Sequence, residues 1–399
     1  MLDLAILFDR LGPYHHARCV AAGSRCSLTA IELSALDDTY AWSRVDRAPD
    51  FARLTLFEQD AGRRRKIEVR RSVHHALAAA DPEVVAIPGW SDSGALSALL
   101  WCRQKGRPAV LMSDSGRHDE VRRRAREATK RRVVRLFSSA VVAGAPHREY
   151  ACDLGLCAAT VFDGYDVVDN AHFERGARHA RASDEGWRQR LGLPKRFFLA
   201  SSRFVAKKNL FRLLDAYAGY HRRIGADAWH LVLLGDGELR AGVESRIAQA
   251  DLAGDVVLPG FRQYDELPAY YGLASAFVHA STTEQWGLVV NEAMAAGLPV
   301  ILSERCGCAP DLVREGVNGF TFDPYDVDAL AGLMQRVAAM TDEQRHAMGR
   351  SSRTIIADWG PERFADGLMQ AVQVAVSRPP PKASLFDRTL LSALAHRPL

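Results

Sequence analysis

The fold of this chain is decided by the segment Ala276-Phe-Val-His-Ala-Ser-Thr-Thr-Glu284-Gln-Trp-Gly287-Leu-Val-Val-Asn-Glu292-Ala-Met-Ala-Ala-Gly297-Leu-Pro-Val-Ile301. Its first five residues are typical of a buried strand, and helical spacing of apolar residues follows from Gly287 to Gly297. Glu284 is therefore predicted in a strand-to-helix loop, and Glu292 inside the helix. A buried strand followed directly by a helix indicates a parallel α/β sheet.

A second loop carries positive charges. Arg203 and Lys208 follow the apolar run 197–200, in the sequence Ser201-Ser-Arg-Phe-Val-Ala-Lys-Lys-Asn209. Arg offers a planar fork of donors and Lys a compact charge, so both can bind a diphosphate. A helix N-terminus also favours phosphate, and carboxylates beside it can accept hydrogen bonds from hydroxyls. These loops predict a ligand with hydroxyl groups on both sides of a diphosphate, as in a nucleotide sugar.

The joint pattern of Arg-x4-Lys, Glu-x7-Glu and a following Gly-Leu-Pro-Val strand resembles family 4 of the retaining glycosyltransferases. The resemblance covers nearly all of residues 196–335 and fits the length of the chain. It implies the GT-B fold, in which two doubly wound Rossmann-like α/β domains face a central cleft. It also implies transfer of a sugar with retention of the anomeric configuration.

Short apolar runs alternate with amphipathic segments from one end of the chain to the other, which predicts two parallel sheets covered by helices. In the first half the predicted strands are Leu4–Phe8, Val84–Ile87, Ala109–Met112, Ala140–Ala143 and Thr160–Phe162. In the second half they are Phe197–Ser201, His230–Leu234, Asp255–Leu258, Ala276–Ala280, Val300–Ser303 and Gly319–Phe322. The stretch 119–137 is predicted to be a basic helix.

These patterns divide the chain into two domains. We predict an acceptor-side domain over 1–165, a linker over 166–195, and a nucleotide-sugar-binding domain over 196–358. The resemblance implies that the C-terminal helix, about 361–399, packs back on the first domain. The last residues, including Pro379-Pro-Pro381, are expected to be loosely ordered or peripheral.

Charge and cysteine content restrict where the protein acts. The net charge is +4, but the segment 117–135 carries nine Lys or Arg residues against three acids. This segment and the basic residues of 63–71 could face an anionic acceptor or an anionic membrane, or be solvated helix faces. The seven cysteines are scattered, and no signal peptide precedes them, which predicts reduced thiols in the cytoplasm. No apolar run approaches the ~20 residues of a membrane span, so any membrane contact is expected to be peripheral.

The resemblance assigns donor-side roles in the second domain. Glu292 matches the residue that accepts hydrogen bonds from the ribose, and Glu284 the residue that contacts the donor sugar. Arg203 and Lys208 would stabilise the departing diphosphate, since negative charge grows on it as the glycosidic bond breaks. Turns and loops near the nucleotide supply the other predicted donor-binding residues: Gly235, Gly260, Phe261, Arg262, Trp286, Gly287 and Leu288.

In the first domain, the loop after the first strand is expected to meet the donor phosphate, with Gly12 as its only glycine. His15 and His16 would touch the acceptor or a phosphate, or lie exposed at a helix start. Asp114 stands where many family members have a His, and is predicted as a catalytic residue that steers the acceptor hydroxyl.

Three further residues are predicted on the acceptor side: Trp90, Ser115 and His118. Trp90 could stack on a sugar ring, although a packing role is the alternative. Ser115 and Asp119 have the character of helix N-caps, so capping competes with a functional role.

The sequence has neither a Gly-x4-Gly-Lys-Ser loop nor an Asp-x-Asp motif, so we predict no metal and no cofactor besides the nucleotide sugar. The predicted function is transfer of a hexose-type sugar to an acceptor hydroxyl, in surface polysaccharide or glycolipid synthesis. Alternatives are glycosylation of a small natural product, a nucleotide-sugar 2-epimerase of the same fold, and a non-catalytic nucleotide-sugar-binding subunit. Expected partners are the donor and a saccharide, lipid-linked or small-molecule acceptor, but no nucleic acid.

Overall fold

The computed structural model of the protein describes residues 2–36, 42–45, 50–59, 61–120 and 122–396. The strands are β1 (Asp3–Phe8), β2 (Ser27–Ser34), β3 (Ala52–Phe57), β4 (Val84–Pro88), β5 (Ala109–Ser113), β6 (Ser139–Val142), β7 (Val161–Asp163), β8 (Phe197–Ser201), β9 (His230–Leu234), β10 (Val256–Gly260), β11 (Ala276–His279), β12 (Val300–Ser303) and β13 (Gly319–Phe322). Every strand predicted from the sequence is present.

The helices alternate with these strands. They are α1 (Pro13–Gly23), α2 (Lys66–Ala80), α3 (Ser93–Lys105), α4 (Arg124–Val134), α5 (Ala145–Asp153), α6 (Asn170–Ala182), α7 (Asp184–Leu191), α8 (Leu210–Ile224), α9 (Arg240–Gln249), α10 (Leu267–Leu273), α11 (Leu288–Ala295), α12 (Ala309–Leu312), α13 (Val327–Ala338), α14 (Asp342–Ala357), α15 (Pro361–Val376) and α16 (Leu385–His396). The chain forms two compact units, one of residues 1–168 with 361–399, the other of 169–360.

The first unit contains a seven-stranded sheet in the order β3-β2-β1-β4-β5-β6-β7. Its strands pair in parallel, as right-handed βαβ crossovers require. Helix α15 covers one face: Phe364, Leu368 and Val372 pack in one core with residues of β1 and β4 to β6. The sequence analysis missed β2 and β3 because polar residues interrupt them. Glu32 of β2 is fully buried, and it forms an ion pair with Arg53 of β3 at 2.8 Å.

The second unit contains a six-stranded sheet in the order β10-β9-β8-β11-β12-β13, also parallel. Strand β8, Phe-Phe-Leu-Ala-Ser, is buried along its whole length, as expected for a sheet covered on both faces. The order turns at β8 and β11, where ligands of open α/β sheets bind beyond the carboxyl ends. Both units thus confirm the predicted Rossmann-like α/β architecture.

Two segments differ from their predicted structure. The stretch 166–195, treated above as a linker, contains helices α6 and α7 of the second unit. The tail after Val376 is not loosely ordered throughout, because α16 buries Leu391 and Ala395 in the core of the first unit. Asp387 accepts hydrogen bonds from the Ser384 N–H and hydroxyl, and this Ser-x-x-Asp pair was the signal for a helix start.

Candidate active site

The two predicted site loops lie side by side at the carboxyl ends of β8 and β11, which are neighbours in the second sheet. The Thr282 N–H donates to the Lys207 carbonyl at 2.9 Å. The side-chain amide of Asn209 donates to the Ala280 carbonyl at 3.0 Å. These bonds hold the cationic loop against the loop that carries Glu284, although the two are far apart in sequence.

Lys208 and Glu284 form an ion pair across these loops. The Lys208 Nζ contacts Glu284 Oε2, and each side chain is only 11% exposed. The Lys207 Nζ lies 3.8 Å from the other carboxylate oxygen. Because few waters reach it, this pair interacts more strongly than a surface ion pair. The structure therefore brings together two residues that the sequence analysis placed in one site from separate motifs.

Glu284 has two further partners, which the sequence analysis did not identify. His279, the last residue of β11, is buried with its Nε2 3.2 Å from Glu284 Oε2. The Ser281 hydroxyl donates to the same oxygen at 3.2 Å and lies 3.1 Å from His279 Nε2. The only available signal was a histidine within an apolar strand, and a packed core histidine is the commoner explanation of such a pattern.

The charge of this cluster follows from its contacts. Burial alone would raise the pKa of the Glu284 carboxyl, but the hydrogen bond with His279 and the charge of Lys208 outweigh it and hold the pKa well below its usual range. Burial lowers the pKa of His279, and this outweighs the hydrogen bond to Glu284, so the ring is neutral near pH 7. Glu284 is thus ionised, and His279 donates its Nε2–H to it.

A third loop, 305–308, fixes the backbone around Glu284. The Glu284 N–H donates to the Arg305 carbonyl at 3.3 Å, and the Gly307 N–H donates to the Glu284 carbonyl at 3.0 Å. The backbone N–H of Cys308 donates to the Trp286 carbonyl at 3.2 Å. Burial raises the pKa of the Cys306 and Cys308 thiols well above the usual value. Among the described residues no group of His, Cys, Asp or Glu is arranged to hold a metal ion.

Gly287 lies beside this cluster and directly precedes helix α11. Its φ of +102° lies in the left-handed region, which favours glycine. A Cβ there would lie 3.4 Å from Cγ of Glu284, so the glycine also leaves space for the carboxylate arm. Leu288 is the first helical residue and is half-buried.

Glu292 lies within α11 with an exposed fraction of 0%. Its Oε2 accepts a hydrogen bond from the Tyr271 hydroxyl at 2.6 Å. Burial raises the pKa of Tyr271 well above its usual value, and the charge of Glu292 adds to this, so Tyr271 stays a donor. The ribose contact stays a prediction, and it requires a neighbouring group to move because Glu292 has no exposed surface.

The predicted glycine turns lie in neighbouring loops of the same sheet edge. A Cβ on Gly235 would lie 1.8 Å from the Ser202 carbonyl oxygen, so the loop after β9 approaches the loop after β8 too closely for any side chain. The Gly235 N–H donates to the Gly260 carbonyl at 3.0 Å, which links the end of β10 to the loop after β9. Arg203, which follows Ser202, is half-buried in this stack of loops.

The remaining predicted donor residues have different environments. Phe261 is exposed, and the Arg262 guanidinium donates to the Pro259 carbonyl at 3.0 Å. Trp286 is buried: its ring lies 5.0 Å from that of Trp359. The side chain of Trp286 therefore packs in the core, and the predicted donor contact of this loop stays a prediction.

In the first unit, His15 closes a helix turn. Its Nδ1 accepts a hydrogen bond from the Gly12 N–H at 3.3 Å, and its ring packs on Phe8 with centroids 4.4 Å apart. Burial, together with the charges of Arg18 and Arg10, lowers the pKa of His15 to about 3. His15 is thus a neutral residue that closes the first turn of α1, and its predicted contact with the acceptor or a phosphate stays a prediction.

The other aromatic residues predicted on the acceptor side have separate surroundings. The His16 ring lies 5.8 Å from that of Phe51. Trp90 is buried, with its ring 6.3 Å from that of Tyr150, so the packing alternative is the one observed. His118 is exposed.

Asp114 and Ser115 are half-buried directly after β5. The predicted helix start at this point is wrong, because α4 begins only at Arg124. Asp119 instead accepts a hydrogen bond from the Gly116 N–H at 2.6 Å and closes a turn before the helix. Capping therefore does not explain Ser115 or Asp119, and the predicted roles of Asp114 in catalysis and of Ser115 on the acceptor side stay predictions.

The basic segment around α4 is partly neutralised within the first unit. Its cations form the ion pairs Arg117–Asp153, Arg122–Glu127, Arg126–Glu120, Lys130–Glu120 and Arg132–Asp387. The segment therefore presents less free positive charge than its composition indicates. In the described part of the chain, no helix is long and apolar enough to cross a membrane.

Comparison with known proteins agrees with this geometry. The family described as glycosyl transferases group 1 matches residues 183–354. The amylovoran biosynthesis glycosyltransferase AmsK of Erwinia amylovora is 32% identical over 146 residues, 35% of this chain and 35% of the relative. The GDP-mannose-dependent alpha-(1-6)-phosphatidylinositol monomannoside mannosyltransferase of Mycobacterium tuberculosis is 32% identical over 167 residues. That match covers 40% of this chain and 42% of the relative, so the chain spans less than half of these curated relatives.

Solved structures resemble the chain over more of its length. Sucrose-phosphate synthase from Thermosynechococcus elongatus has a TM-score of 0.74 at 17% identity, covering 94% of this chain and 100% of that protein. Anabaena HepE in complex with UDP and glucose has a TM-score of 0.70 at 18% identity, covering 94% and 99%. Likeness at this identity establishes the fold alone. The second unit of this chain therefore matches the glycosyl transferases group 1 family over most of its length, and the chain has the GT-B fold.

Proposed function

We propose that the chain is a retaining glycosyltransferase that moves a hexose-type sugar from a nucleotide-diphosphate sugar to an acceptor hydroxyl. The observation that carries this proposal is the contact between Lys208 and Glu284, which joins the Arg-x4-Lys and Glu-x7-Glu loops. A lysine and an ionised carboxylate side by side match adjoining parts of the donor, a diphosphate and a sugar hydroxyl. Retention rests on the family resemblance.

The proposed chemistry needs positive charge at the leaving group. Lys208 and Arg203 supply it, because negative charge grows on the diphosphate as the glycosidic bond breaks. Glu284 accepts a hydrogen bond from a donor-sugar hydroxyl while His279 and Ser281 hold its orientation. In the family's front-face path, the leaving phosphate takes the acceptor proton, so no protein nucleophile is required.

Names of similar proteins support the donor and acceptor classes. Anabaena HepE has been solved with UDP and glucose, and the mycobacterial relative is named for GDP-mannose and a phosphatidylinositol mannoside. Because AmsK is named for amylovoran biosynthesis and the mycobacterial relative for a phosphatidylinositol monomannoside, we propose a growing polysaccharide or a lipid-linked saccharide as the acceptor. The internal ion pairs of the α4 segment reduce the support for a membrane contact through that helix.

Thermal-shift titration with UDP-glucose, GDP-mannose, ADP-glucose and dTDP-glucose tests donor binding. A donor at a hundred times its dissociation constant adds about 2.7 kcal/mol to the unfolding free energy, so the donor with the matching base should raise the melting temperature. NMR of the product should show the same anomeric configuration as the donor. An inverted product contradicts retention, and an epimerised donor without acceptor favours the 2-epimerase.

A chelator experiment tests the predicted metal independence. If Arg203 and Lys208 neutralise the diphosphate, turnover should be unchanged within about twofold after treatment with EDTA. Loss of activity in EDTA with recovery on adding magnesium contradicts this part of the proposal. Co-sedimentation with anionic liposomes at low salt tests membrane contact separately, because binding there requires no donor.

A further inference from the structure

Asn209 directly follows Lys208 and has an unusual backbone conformation. Its φ of +59° places a non-glycine residue in the left-handed region. Glycine adopts this conformation without the steric cost that a side chain adds, whereas Asn tolerates it less well. The backbone conformation alone therefore does not explain why this position holds an amide.

The Asn209 side chain is buried, 7% exposed, and every polar atom has a partner. Its Nδ2 donates to the Ala280 carbonyl at 3.0 Å and to the Pro324 carbonyl at 2.8 Å. Its Oδ1 accepts from the Arg212 guanidinium at 3.0 Å. One amide thus joins the loop after β8 to the segments that follow β11 and β13.

The geometry points to Asn209 as a positioning residue that sets Lys208 against Glu284, and we propose this role for it. Lys208 is its immediate neighbour, and Glu284 lies only four residues beyond Ala280, the residue to which the amide bonds. The bond to Ala280 fixes the separation of the two loop backbones, and the bond to Pro324 anchors the Lys208 loop to the segment after β13. The backbones from which the Lys208 and Glu284 side chains extend are therefore held at a defined distance. This inference rests on the proposed function for its catalytic meaning.

Asn209→Gly separates the amide from the backbone conformation. Glycine keeps the left-handed φ but loses both hydrogen bonds, so the loops should remain folded but be less fixed. Since Lys208 acts on charge that appears in the transition state, kcat should fall at least about tenfold while the donor KM changes less than about threefold. The assay is nucleoside diphosphate release from UDP-glucose, GDP-mannose, ADP-glucose and dTDP-glucose.

A matched control and a second variant sharpen the experiment. Asp251 also has a left-handed φ, +57°, but precedes β10 at the opposite edge of the sheet. Asp251→Gly should therefore leave kcat within about twofold. Asn209→Asp keeps the size of the side chain and the acceptor for Arg212 but cannot donate, so it should lose kcat as Asn209→Gly does.

Hydrogen exchange of the Thr282 amide gives a readout that needs no activity. This N–H donates to the Lys207 carbonyl across the two loops, so Asn209→Gly should speed its exchange at least about fivefold, and Asp251→Gly should not. Wild-type kcat together with unchanged Thr282 exchange in Asn209→Gly would overturn the inference. If the wild-type protein releases no nucleoside diphosphate from any donor, the proposed function fails, whereas the exchange result still decides whether Asn209 holds the loops together.

Discussion

The residues predicted for function have different surroundings at the carboxyl edges of the two sheets. At the edge of the second sheet, Lys208 and Glu284 come from separate loops and meet in an ion pair. At the edge of the first sheet, the predicted residues have unrelated environments: His15 closes the first turn of α1, Trp90 packs in the core and His118 is exposed.

This difference shows which kind of sequence signal locates a site. Two motifs of opposite charge that each directly follow a buried strand limit one another's possible positions, because adjacent parallel strands end at the same edge of the sheet. A single histidine or tryptophan carries no such restriction, and its ring can cap a helix or fill a core equally well. Joint patterns across loops therefore predict which residues lie together better than isolated residues do.

The largest loss of turnover is expected in variants that break the ion pair of the second unit. Lys208→Ala leaves a buried carboxylate without its main partner and removes a charge from the leaving group, so turnover should fall well over roughly tenfold. Glu284→Ala should do the same with the fold intact. Steady-state kinetics and circular dichroism measure the two properties, and full activity in both variants refutes the site.

A double-mutant cycle shows whether the two residues act as one unit. If they do, Lys208→Ala/Glu284→Ala should lose no more than about threefold beyond the more damaging single variant. Fully multiplicative losses would mean that their contact in the donor-free protein has no part in turnover.

A smaller effect is expected from His279→Leu, which removes a hydrogen-bond donor to Glu284 but keeps the apolar volume. Without this donor the pKa of Glu284 rises, because less of the burial penalty is offset. The groups around this carboxylate are Lys207, Lys208, Ser281 and His279, and the lysines keep it partly stabilised.

The acid limb of the profile of kcat/KM against pH should therefore move to higher pH in His279→Leu, with turnover near pH 8 reduced by less than about tenfold. His279→Gln, whose side-chain amide can donate, should restore most of the wild-type profile. An unchanged acid limb in His279→Leu would show that the histidine only fills space.

The first unit should show its own pH effect, on stability rather than catalysis. The folded-state pKa of His15 is lowered to about 3, while the unfolded value is about 6.5. Between these values the unfolded state binds the extra proton, so stability is complete above pH 6.5 and falls as the pH decreases. The slope from this one group is at most about 1.4 kcal/mol per pH unit.

His15→Gln should remove this component of the slope. Urea unfolding from pH 7.5 to 4.5 measures it, with His118→Gln as the matched control because His118 is exposed. Parallel curves for wild type and His15→Gln would contradict the lowered pKa of His15.

The smallest effect is expected from a substitution at His118, one of the residues predicted on the acceptor side. Because His118 is exposed, His118→Ala should change kcat and the donor KM by less than about twofold, and the unfolding free energy by less than about 0.5 kcal/mol. A loss of more than tenfold in kcat at unchanged stability would support the predicted acceptor-side role of His118.

Much of the architecture was predictable because buried parallel strands are continuous apolar runs. Strands β8 and β11 were predicted within one residue, whereas β2 was missed because Glu32 and its polar neighbours interrupt the apolar pattern. The residues around Glu284 also include some that the sequence predicts and some that it does not. The charged motifs were predicted, but His279 and Asn209 could not be, since their roles depend on hydrogen bonds that form only when distant strands become neighbours.

Helix α15 has a consequence for the order of events during synthesis. Its side chains Phe364, Leu368 and Val372 belong to the core that covers one face of the first sheet. A ribosome produces β1 to β7 long before this helix, and the complete second unit emerges in between. Part of the apolar face of the nascent N-terminal sheet therefore stays exposed until α15 has been made, and we expect the chain to be most prone to aggregation in this interval.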